Sequence, residues 1–349
     1  MPFTADQLAI GANYSLATYQ KKEPIDQINF QHATLDWLIK NKEISTFGNG
    51  SFKEPIYITN NSNAQNYFGA DQVTYNERDP AKWTDFTWYN THDGFWFDED
   101  RLLANGITIV DRSDAIPTSS EKETLIDLLK VSYRSLKMSL QESLAYETLR
   151  DGSQSTKAVP GLASLVDPSP ATGIVGGINA ATSPYWQNNA SLLIAATTGL
   201  ILTEMERMWQ ACQLYGGMTP DFIVCGQAFL AKYKLEAGVT INRQIEGGGN
   251  NRGGISLDAS VNDAYFHGIP LVWDPTFEKL DTLLGTTTQT KTCYFLNSNA
   301  IKFRPVKNNW MVDRKPERLP DRYVHYFAKT AKYGFTTNKR NALAVLSIA

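Results

Sequence analysis

Cysteine and histidine are scarce in this sequence of 349 residues. The three cysteines are an odd number without the close spacing of a metal-binding pair, which argues against a disulfide framework and against a zinc site. The four histidines are scattered, and none belongs to an HExxH motif. His267 precedes Gly268 at a predicted turn, where we expect a structural hydrogen-bonding role. We therefore expect a chain of intracellular origin with no metal and no cofactor. The residues concerned are Cys212, Cys225, Cys293, His32, His92, His267 and His325.

Targeting, membrane and catalytic signals are also missing. Residues 1–22 lack a basic region followed by an apolar one, so they do not form a signal peptide. The longest apolar run, Leu192 to Leu202, is interrupted by Thr197 and Thr198 and is too short to span a bilayer. The glycine-rich residues 247–254 lack the lysine of a phosphate-binding loop, and no Gly-x-Ser-x-Gly motif is present. We expect no catalytic residues.

A strong overall charge is absent, because 33 basic residues against 36 acidic ones give a net charge of −3. This balance excludes a general nucleic-acid binder. Residues 302–349 are nevertheless basic, with 11 Lys and Arg against 3 Asp and Glu. This block is either a solvated face, a nucleic-acid site, or a surface that pairs with the acidic residues 77–100 of a neighbouring copy. Interleaved acidic residues favour a neighbouring copy over nucleic acid. The interface candidates are Arg314, Lys315 and Arg318.

Aromatic residues, in contrast, are abundant, at 11 % of the chain within a hydrophobic fraction of 42 %. The length suggests two domains, and the aromatic side chains fill either a large core or contacts between copies. Several flank Asp93-Gly94, the strongest hairpin signal in the sequence. A hairpin with aromatic residues on both faces needs a partner surface. The resulting interface candidates are Trp83, Phe86, Trp88, Phe95 and Trp96.

A long helix is predicted over residues 120–150. Capping-box patterns begin at Thr118 and Ser120, and Asp151-Gly152 ends the pattern. Apolar residues recur every three or four positions and share one helix face, which is typical of a helix packed along one side. At 1.5 Å per residue the helix is about 46 Å long, so other elements must lie along it. The apolar stripe comprises Leu125, Leu129, Tyr133, Leu136, Leu140 and Leu144.

The remaining patterns indicate a mixed α/β region followed by β-structure. A helical face runs from residue 24 to 42, Asn49-Gly50 predicts a turn, and residues 337–340 predict the turn of a long C-terminal hairpin. The predicted helices are Ser191–Leu214 and Gln227–Glu236, the second stopped by Gly238. The predicted strands are Glu54–Thr59, Phe222–Cys225, Tyr265–Trp273, Cys293–Leu296, Ile301–Val306, Arg322–Thr336 and Ala342–Ile348.

One acidic cluster, Asp98-Glu99-Asp100, follows the aromatic segment. Paired carboxylates carry the acid and base steps of glycoside hydrolysis, and aromatic residues often accompany them in carbohydrate-active enzymes. Adjacent residues on a strand point to opposite faces, however, which favours a solvated acidic edge that discourages unwanted strand pairing. An enzyme that acts on carbohydrate is the remote alternative.

The most distinctive segment, residues 173–188, reads GIVGGINAATSPYWQN. It resembles the GGI(D/N)…T.P.W.N stretch of the major capsid proteins of tailed bacteriophages with the Hong Kong 97 fold. Asn179 stands where aspartate is frequent, and Gln187 stands where arginine is frequent. The tail from Tyr326 to Ala342 also resembles the C-terminal ends of those proteins, and the order of elements is similar over nearly the whole chain.

The resemblance implies an α+β fold of the Hong Kong 97 capsid type. Residues 1–23 would form an N-terminal arm and residues 46–105 an extended β-hairpin loop over the adjacent subunit. Residues 24–45, 106–157 and 299–349 would form a peripheral domain around a spine helix at about 120–150. Residues 158–298 would form the axial domain. The aromatic candidates of the extended loop would then be buried against a neighbouring copy.

The resemblance also implies a function without catalysis. The chain would self-assemble into pentamers and hexamers of an icosahedral shell that encloses double-stranded DNA, contacted non-specifically. Scaffolding, portal and decoration proteins are further expected partners, with no membrane. The protein would be made in the host cytoplasm and reside in the virion capsid. An encapsulin-type nanocompartment, which shares the fold and packs protein cargo, is the nearer alternative.

Overall fold

The structure is a computed structural model that describes residues 30–45, 50–57, 62–77, 81–104, 119–196, 199–215, 217–245, 264–314 and 324–349. The chain forms two compact units. The smaller unit includes residues 90–144 and 308–332, and the larger includes residues 31–89, 145–307 and 333–349. The predicted N-terminal arm at 1–23, the glycine-rich residues 246–254 and the capping residue Thr118 lie outside the described residues.

The described elements alternate between helices and short strands, as expected for an α+β chain. The helices are α1 (Ala33–Lys40), α2 (Glu99–Ala104), α3 (Ser119–Leu149), α4 (Leu162–Leu165), α5 (Leu200–Leu214), α6 (Gln227–Ile245) and α7 (Thr276–Leu284). The first nine strands are β1 (Ser51–Tyr57), β2 (Ala81–Thr87), β3 (Tyr89–Asp98), β4 (Ile174–Val175), β5 (Ile178–Asn179), β6 (Asn189–Ile194), β7 (Phe222–Cys225), β8 (Tyr265–Phe266) and β9 (Ile269–Trp273). The last five are β10 (Thr292–Leu296), β11 (Ile301–Pro305), β12 (Val312–Arg314), β13 (Val324–Thr337) and β14 (Ala344–Ile348).

A cluster of aromatic rings forms the centre of the smaller unit. Strand β13 pairs there with β3 and with β12, antiparallel in the second case. Phe95 of β3 stacks on Phe327 of β13 at 5.3 Å and meets the ring of Tyr133 edge-on at the same distance. Edge-to-face and offset pairs of this kind stabilise a core beyond the area they bury. Helix α3 contributes Leu129 and Tyr133 of its predicted apolar stripe to this core, and Leu136 and Leu140 of the stripe are also buried.

The larger unit is built on a mixed six-stranded sheet in the order β6-β14-β10-β7-β9-β8. Strands β10 and β14 lie in its interior and are buried almost throughout. Helix α5 places Met205, Trp209 and Cys212 against this sheet, together with Phe229 of α6. Desolvation raises the pKa of Cys212 to about 12, and all three cysteines are buried. These thiols are core residues, as their lack of metal spacing suggests.

Several local predictions are confirmed because the sequence signal that supports them is local. Helix α3 matches the predicted residues 120–150, and β7 has the predicted bounds. The predicted turn at His267-Gly268 is present, with φ of 49° and 79°, and it divides the predicted strand Tyr265–Trp273 into the antiparallel strands β8 and β9. His267 has the predicted structural role, because its Nε2 lies within hydrogen-bond distance, 2.7 Å, of a carboxylate oxygen of Glu206.

The predicted turn at Asp93-Gly94 is wrong, since both residues lie inside the continuous strand β3. A Cβ atom at Gly94 would lie 2.9 Å from the Phe327 carbonyl oxygen of β13. Glycine here permits close approach of a paired strand, which is the other common reason for glycine within a strand. The two-stranded hairpin exists, but it is formed by β1 and β2, which pair antiparallel from Ser51↔Thr87 to Tyr57↔Ala81.

Two helix predictions in the larger unit are wrong at one end. Residues 191–194 belong to β6, which pairs in parallel with β14, and α5 begins only after Gly199, whose φ is 88°. A short apolar run cannot be assigned to helix or strand by its periodicity alone. Helix α6 continues through Gly238 to Ile245, because a single glycine costs only about 1 kcal/mol inside a helix.

The predicted C-terminal hairpin is also wrong. Strands β13 and β14 belong to different sheets and are separated by a short 3₁₀-helix, Arg340–Ala342. Arg340 is fully buried and donates hydrogen bonds to the carbonyl oxygens of Leu165 and Trp186 and to Oδ1 of Asn188, all within 3.0 Å. These bonds direct the chain away from a turn and into the six-stranded sheet. Strand β14 thus joins residues assigned to the axial domain, whereas the domain boundaries themselves remain a prediction.

Candidate interface

We use the name arm for strands β1 and β2 together with the described residues 62–77 between them. This arm is distinct from the N-terminal arm predicted at residues 1–23. Its two strands are amphipathic, because alternate residues of a strand point to opposite faces. Phe52, Ile56 and Phe86 face the larger unit and are less than 9 % exposed. Tyr57 and Trp83 are 85 % and 64 % exposed. One face of the arm is therefore part of the core, and the other carries large apolar side chains in solvent.

The buried face of the arm rests on the distinctive segment 173–188. Gly176, with φ of 58°, lies so close to Phe86 that a Cβ atom there would be 2.7 Å from the ring. The amide of Asp85 donates to the carbonyl oxygen of Gly176 at 2.9 Å. The turn is held from below by Trp186, whose indole N–H donates to the carbonyl oxygen of Val175 at 2.9 Å. Gly176 and Gly177 therefore form the surface against which β2 packs at Asp85 and Phe86. We call this surface the socket and the β2 residues on it the base of the arm.

Arg304 of β11 holds β1, the other strand of the arm, through side-chain ion pairs and hydrogen bonds. Its guanidinium forms ion pairs with Glu54 of β1 at 2.5 Å and with Glu43 at 3.2 Å. Its Nε also donates to Oγ1 of Thr336 on β13 at 2.9 Å. Arg304 and Glu54 are both only about one-seventh exposed, and charge-assisted bonds in such surroundings are stronger than at a surface. The direction of the arm is thus set by charge as well as by packing.

The middle of the arm, residues 62–77, has aromatic side chains but no core of its own. Tyr67, Phe68 and Tyr75 are 69 %, 89 % and 91 % exposed. The segment is held by bonds within itself: Asp71 accepts from the Phe68 amide at 2.9 Å, across a turn that contains Gly69 with φ of 59°. Sequence reasoning missed these aromatic residues, although aromatic side chains within a polar, glycine-containing stretch were the available signal.

The five aromatic candidates predicted from the sequence do not form one surface. Trp83 and Trp96 are exposed, on β2 and β3. Phe86 is buried in the socket, and Trp88 packs edge-on against Phe52 with ring centroids 5.8 Å apart. Phe95 belongs to the ring cluster of the smaller unit. The role of all five in contacts between subunits stays a prediction, with Trp83 and Trp96 the most accessible.

The basic candidates are described only in part. Arg314 is exposed at the end of β12, where its Nε donates to Oγ1 of Thr330 at 3.2 Å. Lys315 and Arg318 lie outside the described residues. The neighbouring Asp313 pairs with Lys329 at 2.7 Å, so acidic and basic groups do alternate on this strand pair.

Metal-ligating side chains are not clustered in the described part of the chain. No group of three or more His, Cys, Asp or Glu side chains among the described residues could hold a metal ion. Asp98 ends β3 whereas Asp100 lies on α2, so the two carboxylates of the acidic cluster are on different elements. Among the described helices, none is both long and apolar enough to cross a bilayer.

Comparisons with solved structures find the same fold in phage and GTA capsid structures. The chain is similar to the cyanophage A-1(L) capsid asymmetric unit, with a TM-score of 0.63 and 12 % identity over 94 % of this chain and 95 % of that one. It is similar to a Gordonia phage Cozz structure, with a TM-score of 0.56 and 11 % identity over 94 % and 90 % of the two chains. It is similar to the capsid of a native GTA particle, with a TM-score of 0.53 and 10 % identity over 95 % and 94 %. No protein-family model and no curated protein sequence matches the chain. A likeness at such low identity establishes the fold.

Proposed function

Since the chain has the Hong Kong 97-type α+β fold of tailed-phage major capsid proteins, we propose that it is a structural shell protein. It self-assembles into pentamers and hexamers of an icosahedral shell that encloses double-stranded DNA. The observation that carries the proposal is the combination of this fold over 94 % of the chain with an arm whose outer face presents large aromatic side chains to solvent.

The arm supports self-association for a physical reason. A monomeric protein rarely keeps a contiguous set of large apolar side chains in water, whereas aromatic residues are enriched at the centres of protein interfaces. Tyr57, Trp83 and the aromatic residues of 62–77 lie on one continuous segment of chain, which is firmly attached at its base. A fixed direction and an exposed apolar surface are what a subunit needs to engage a neighbour repeatedly and in the same way.

The proposal assigns no catalytic activity and no cofactor to the chain. We do not propose the carbohydrate-active alternative. We further propose the domain assignment given by the family resemblance, and contacts of Arg314, Lys315 and Arg318 with acidic residues of a neighbouring copy. The proposed location is the virion capsid after synthesis in the host cytoplasm. DNA would be contacted non-specifically, and scaffolding, portal and decoration proteins would complete the particle.

Electron microscopy of the purified chain tests the proposal. We expect closed icosahedral particles, or pentamers and hexamers that close on addition of a scaffolding protein. A chain that stays monomeric at high concentration, with and without such a protein, would contradict the proposal. Particles purified from infected cells should contain double-stranded DNA. Particles that instead hold a folded protein cargo would favour the nanocompartment.

A matched pair of variants links assembly to the arm. Replacing residues 62–77 by a short Gly-Ser connection should abolish particles while leaving the unfolding midpoint within a few degrees of the parent value, because this segment adds no core. The control replaces exposed residues of α6 outside the arm and should assemble normally. Normal particles from the shortened chain would show that assembly does not depend on this segment.

A further inference from the structure

An open cleft lies in the larger unit beside residues 55–57, at the C-terminal end of β1. Its volume is about 590 Å³, and four of its ten lining residues are aromatic. The rings of Tyr185 and Tyr215 meet edge-on with centroids 5.7 Å apart, and Tyr57 and Trp186 also line the cleft. Clefts that bind a partner are typically apolar with a few polar groups that fix its orientation. The polar groups here include Lys339 and Asn341.

Lys339 gives the cleft a definite charge preference. It is the one charged residue among those that line the cleft, and no carboxylate of the described residues is within ion-pair distance of it. Partial burial lowers the pKa of Lys339, since desolvation disfavours the ammonium form. An arriving carboxylate would offset that desolvation, so the cleft favours an occupant that combines aromatic side chains with negative charge.

Residues 62–77 have this combination. The segment contains Tyr67, Phe68 and Tyr75, all more than two-thirds exposed. It includes two carboxylates, Asp71 and Glu77, and neither lysine nor arginine. The turn closed by the Asp71 carboxylate and the Phe68 amide places Phe68 three residues before the acidic group. The segment and the cleft therefore match in both apolar character and charge.

We infer that the aromatic turn at Tyr67-Phe68 inserts into the Tyr185–Tyr215 cleft of a second copy of this chain, with Asp71 directed towards Lys339. The occupant is a second copy and not an unrelated protein, because the complementary surface is present on the same polypeptide and is exposed there. Each subunit then offers one turn and one cleft, which is a head-to-tail contact that generates rings or extended arrays. This inference rests on the proposed self-assembly and specifies which surfaces make it.

The energetic basis is desolvation of the aromatic rings. Phe68 and Tyr67 would each remove a large apolar area from water on entering the cleft, and a ring placed against Tyr185 and Tyr215 would join an existing edge-on pair. Residues of this type at the centre of a contact usually account for most of its binding free energy. The Asp71–Lys339 pair at the rim would mainly set orientation and the dependence on salt.

Photo-crosslinking tests the contact directly in the full chain. Phe68 is replaced by p-benzoylphenylalanine, a photoreactive aromatic residue, and the protein is mixed with unmodified chain labelled with ¹⁵N before irradiation. We expect crosslinks between light and heavy chains at the peptides that contain Tyr185 or Tyr215. The same photoreactive residue at Tyr265, an exposed aromatic position on β8, serves as the control and should not label these peptides.

A charge variant checks the orientation of the contact. Lys339→Glu should reduce the yield of crosslinks between light and heavy chains by about fivefold or more, since it replaces an attraction by a repulsion worth at least 1 kcal/mol. Lys232→Glu, which reverses an exposed lysine on α6 outside the cleft, should leave the yield unchanged. Circular dichroism of each variant confirms that it is folded.

The outcomes separate this inference from the proposed function. Closed particles with crosslinks at other surfaces, or only within one chain, overturn the inference and leave the shell function intact. Crosslinks between light and heavy chains at the cleft support the contact, and they overturn the shell function if neither pentamers, hexamers nor closed particles form with or without a scaffolding protein. If the experiment yields no particles and no crosslinks at the cleft, both the inference and the shell function are overturned.

Discussion

The six-stranded sheet and the arm use the same residue types in opposite ways. In the sheet, Phe295 and Tyr294 of β10 are buried on both faces by α5, α7 and neighbouring strands. On the arm, Tyr57 and Phe68 lie in solvent while the strands beneath them are anchored. The difference teaches that folding and association are assigned to separate surfaces of this chain. A substitution in the sheet should therefore lower the free energy of unfolding. A substitution of an exposed aromatic residue on the arm should instead impair assembly and leave the free energy of unfolding nearly unchanged.

The largest effect on stability is expected at Arg340. Arg340→Met leaves the buried carbonyl oxygens of Leu165 and Trp186 without donors, and Oδ1 of Asn188 keeps only the Asp167 amide. Each unpaired buried acceptor costs about 1–3 kcal/mol, so we expect a loss of at least ~2 kcal/mol in the free energy of unfolding, measured in urea. Arg207→Met is the control, since Arg207 is exposed and its ion-pair partner among the described residues is Glu204 of its own helix. A loss below 1 kcal/mol at Arg340 would show that the buried cation is not essential.

A smaller effect is expected at the socket of the arm. Gly176→Ala introduces a methyl group 2.7 Å from the Phe86 ring at a φ of 58°. Gly177→Ala introduces the same change at a φ of 76°, with its nearest neighbour at 3.9 Å. Both variants pay the left-handed strain of about 1–2 kcal/mol, but only the first adds a clash. We expect Gly176→Ala alone to detach the arm and to prevent particle assembly, as seen by limited proteolysis and electron microscopy. Equal behaviour of the two variants would contradict the socket.

The exposed aromatic residues should contribute almost nothing to stability. Replacing Tyr67, Phe68 and Tyr75 by serine is expected to change the free energy of unfolding by less than about 0.5 kcal/mol, the usual range for exposed positions. Particle formation should nevertheless be lost. The control replaces three exposed apolar residues of the larger unit outside the arm, Tyr265, Leu283 and Leu284, by serine. If both triple variants lose assembly equally, the arm has no special part in it.

The smallest effect concerns pH and the pair Glu206–His267. The hydrogen bond from His267 lowers the pKa of Glu206 below its ordinary value of 4.5, although burial opposes the shift. A carboxyl group with a lowered pKa in the folded state stabilises above its ordinary pKa and ceases to do so as the pH falls through the lowered value. The difference in melting temperature between the parent and Glu206→Gln should therefore be present at pH 6 and vanish in strong acid. The corresponding difference in the free energy of unfolding should be about a few tenths of a kcal/mol, since both groups are exposed. A difference that persists in strong acid would contradict the assignment.

Local signals explain what could be predicted of the fold and of the site. The leucine stripe of α3 and the His267-Gly268 turn depend on neighbours in sequence, and both were predictable. The pairing of β1 with β2 was not, because more than twenty polar and irregular residues separate them and Asp93-Gly94 offered a nearer turn. The burial of Arg340 depends on three acceptors brought together from residues 165–188, which no local pattern reveals. At the site, Trp83 and Trp96 could be named as aromatic surface residues, whereas the cleft exists only after α5 and the 340–342 helix have packed.

The position of β6 has a consequence for the time that folding takes. This strand, residues 189–194, has β14, residues 344–348, as its partner in the sheet, and β14 is made much later in synthesis. Contacts between residues so far apart in sequence form only when a long loop closes, and loop closure costs conformational entropy. Topologies rich in such contacts therefore fold slowly. The apolar edge of the sheet therefore stays open during a slow step in which the arm is already exposed. Every new subunit passes through a period in which it can associate wrongly, and the rate of sheet completion sets how long that period lasts.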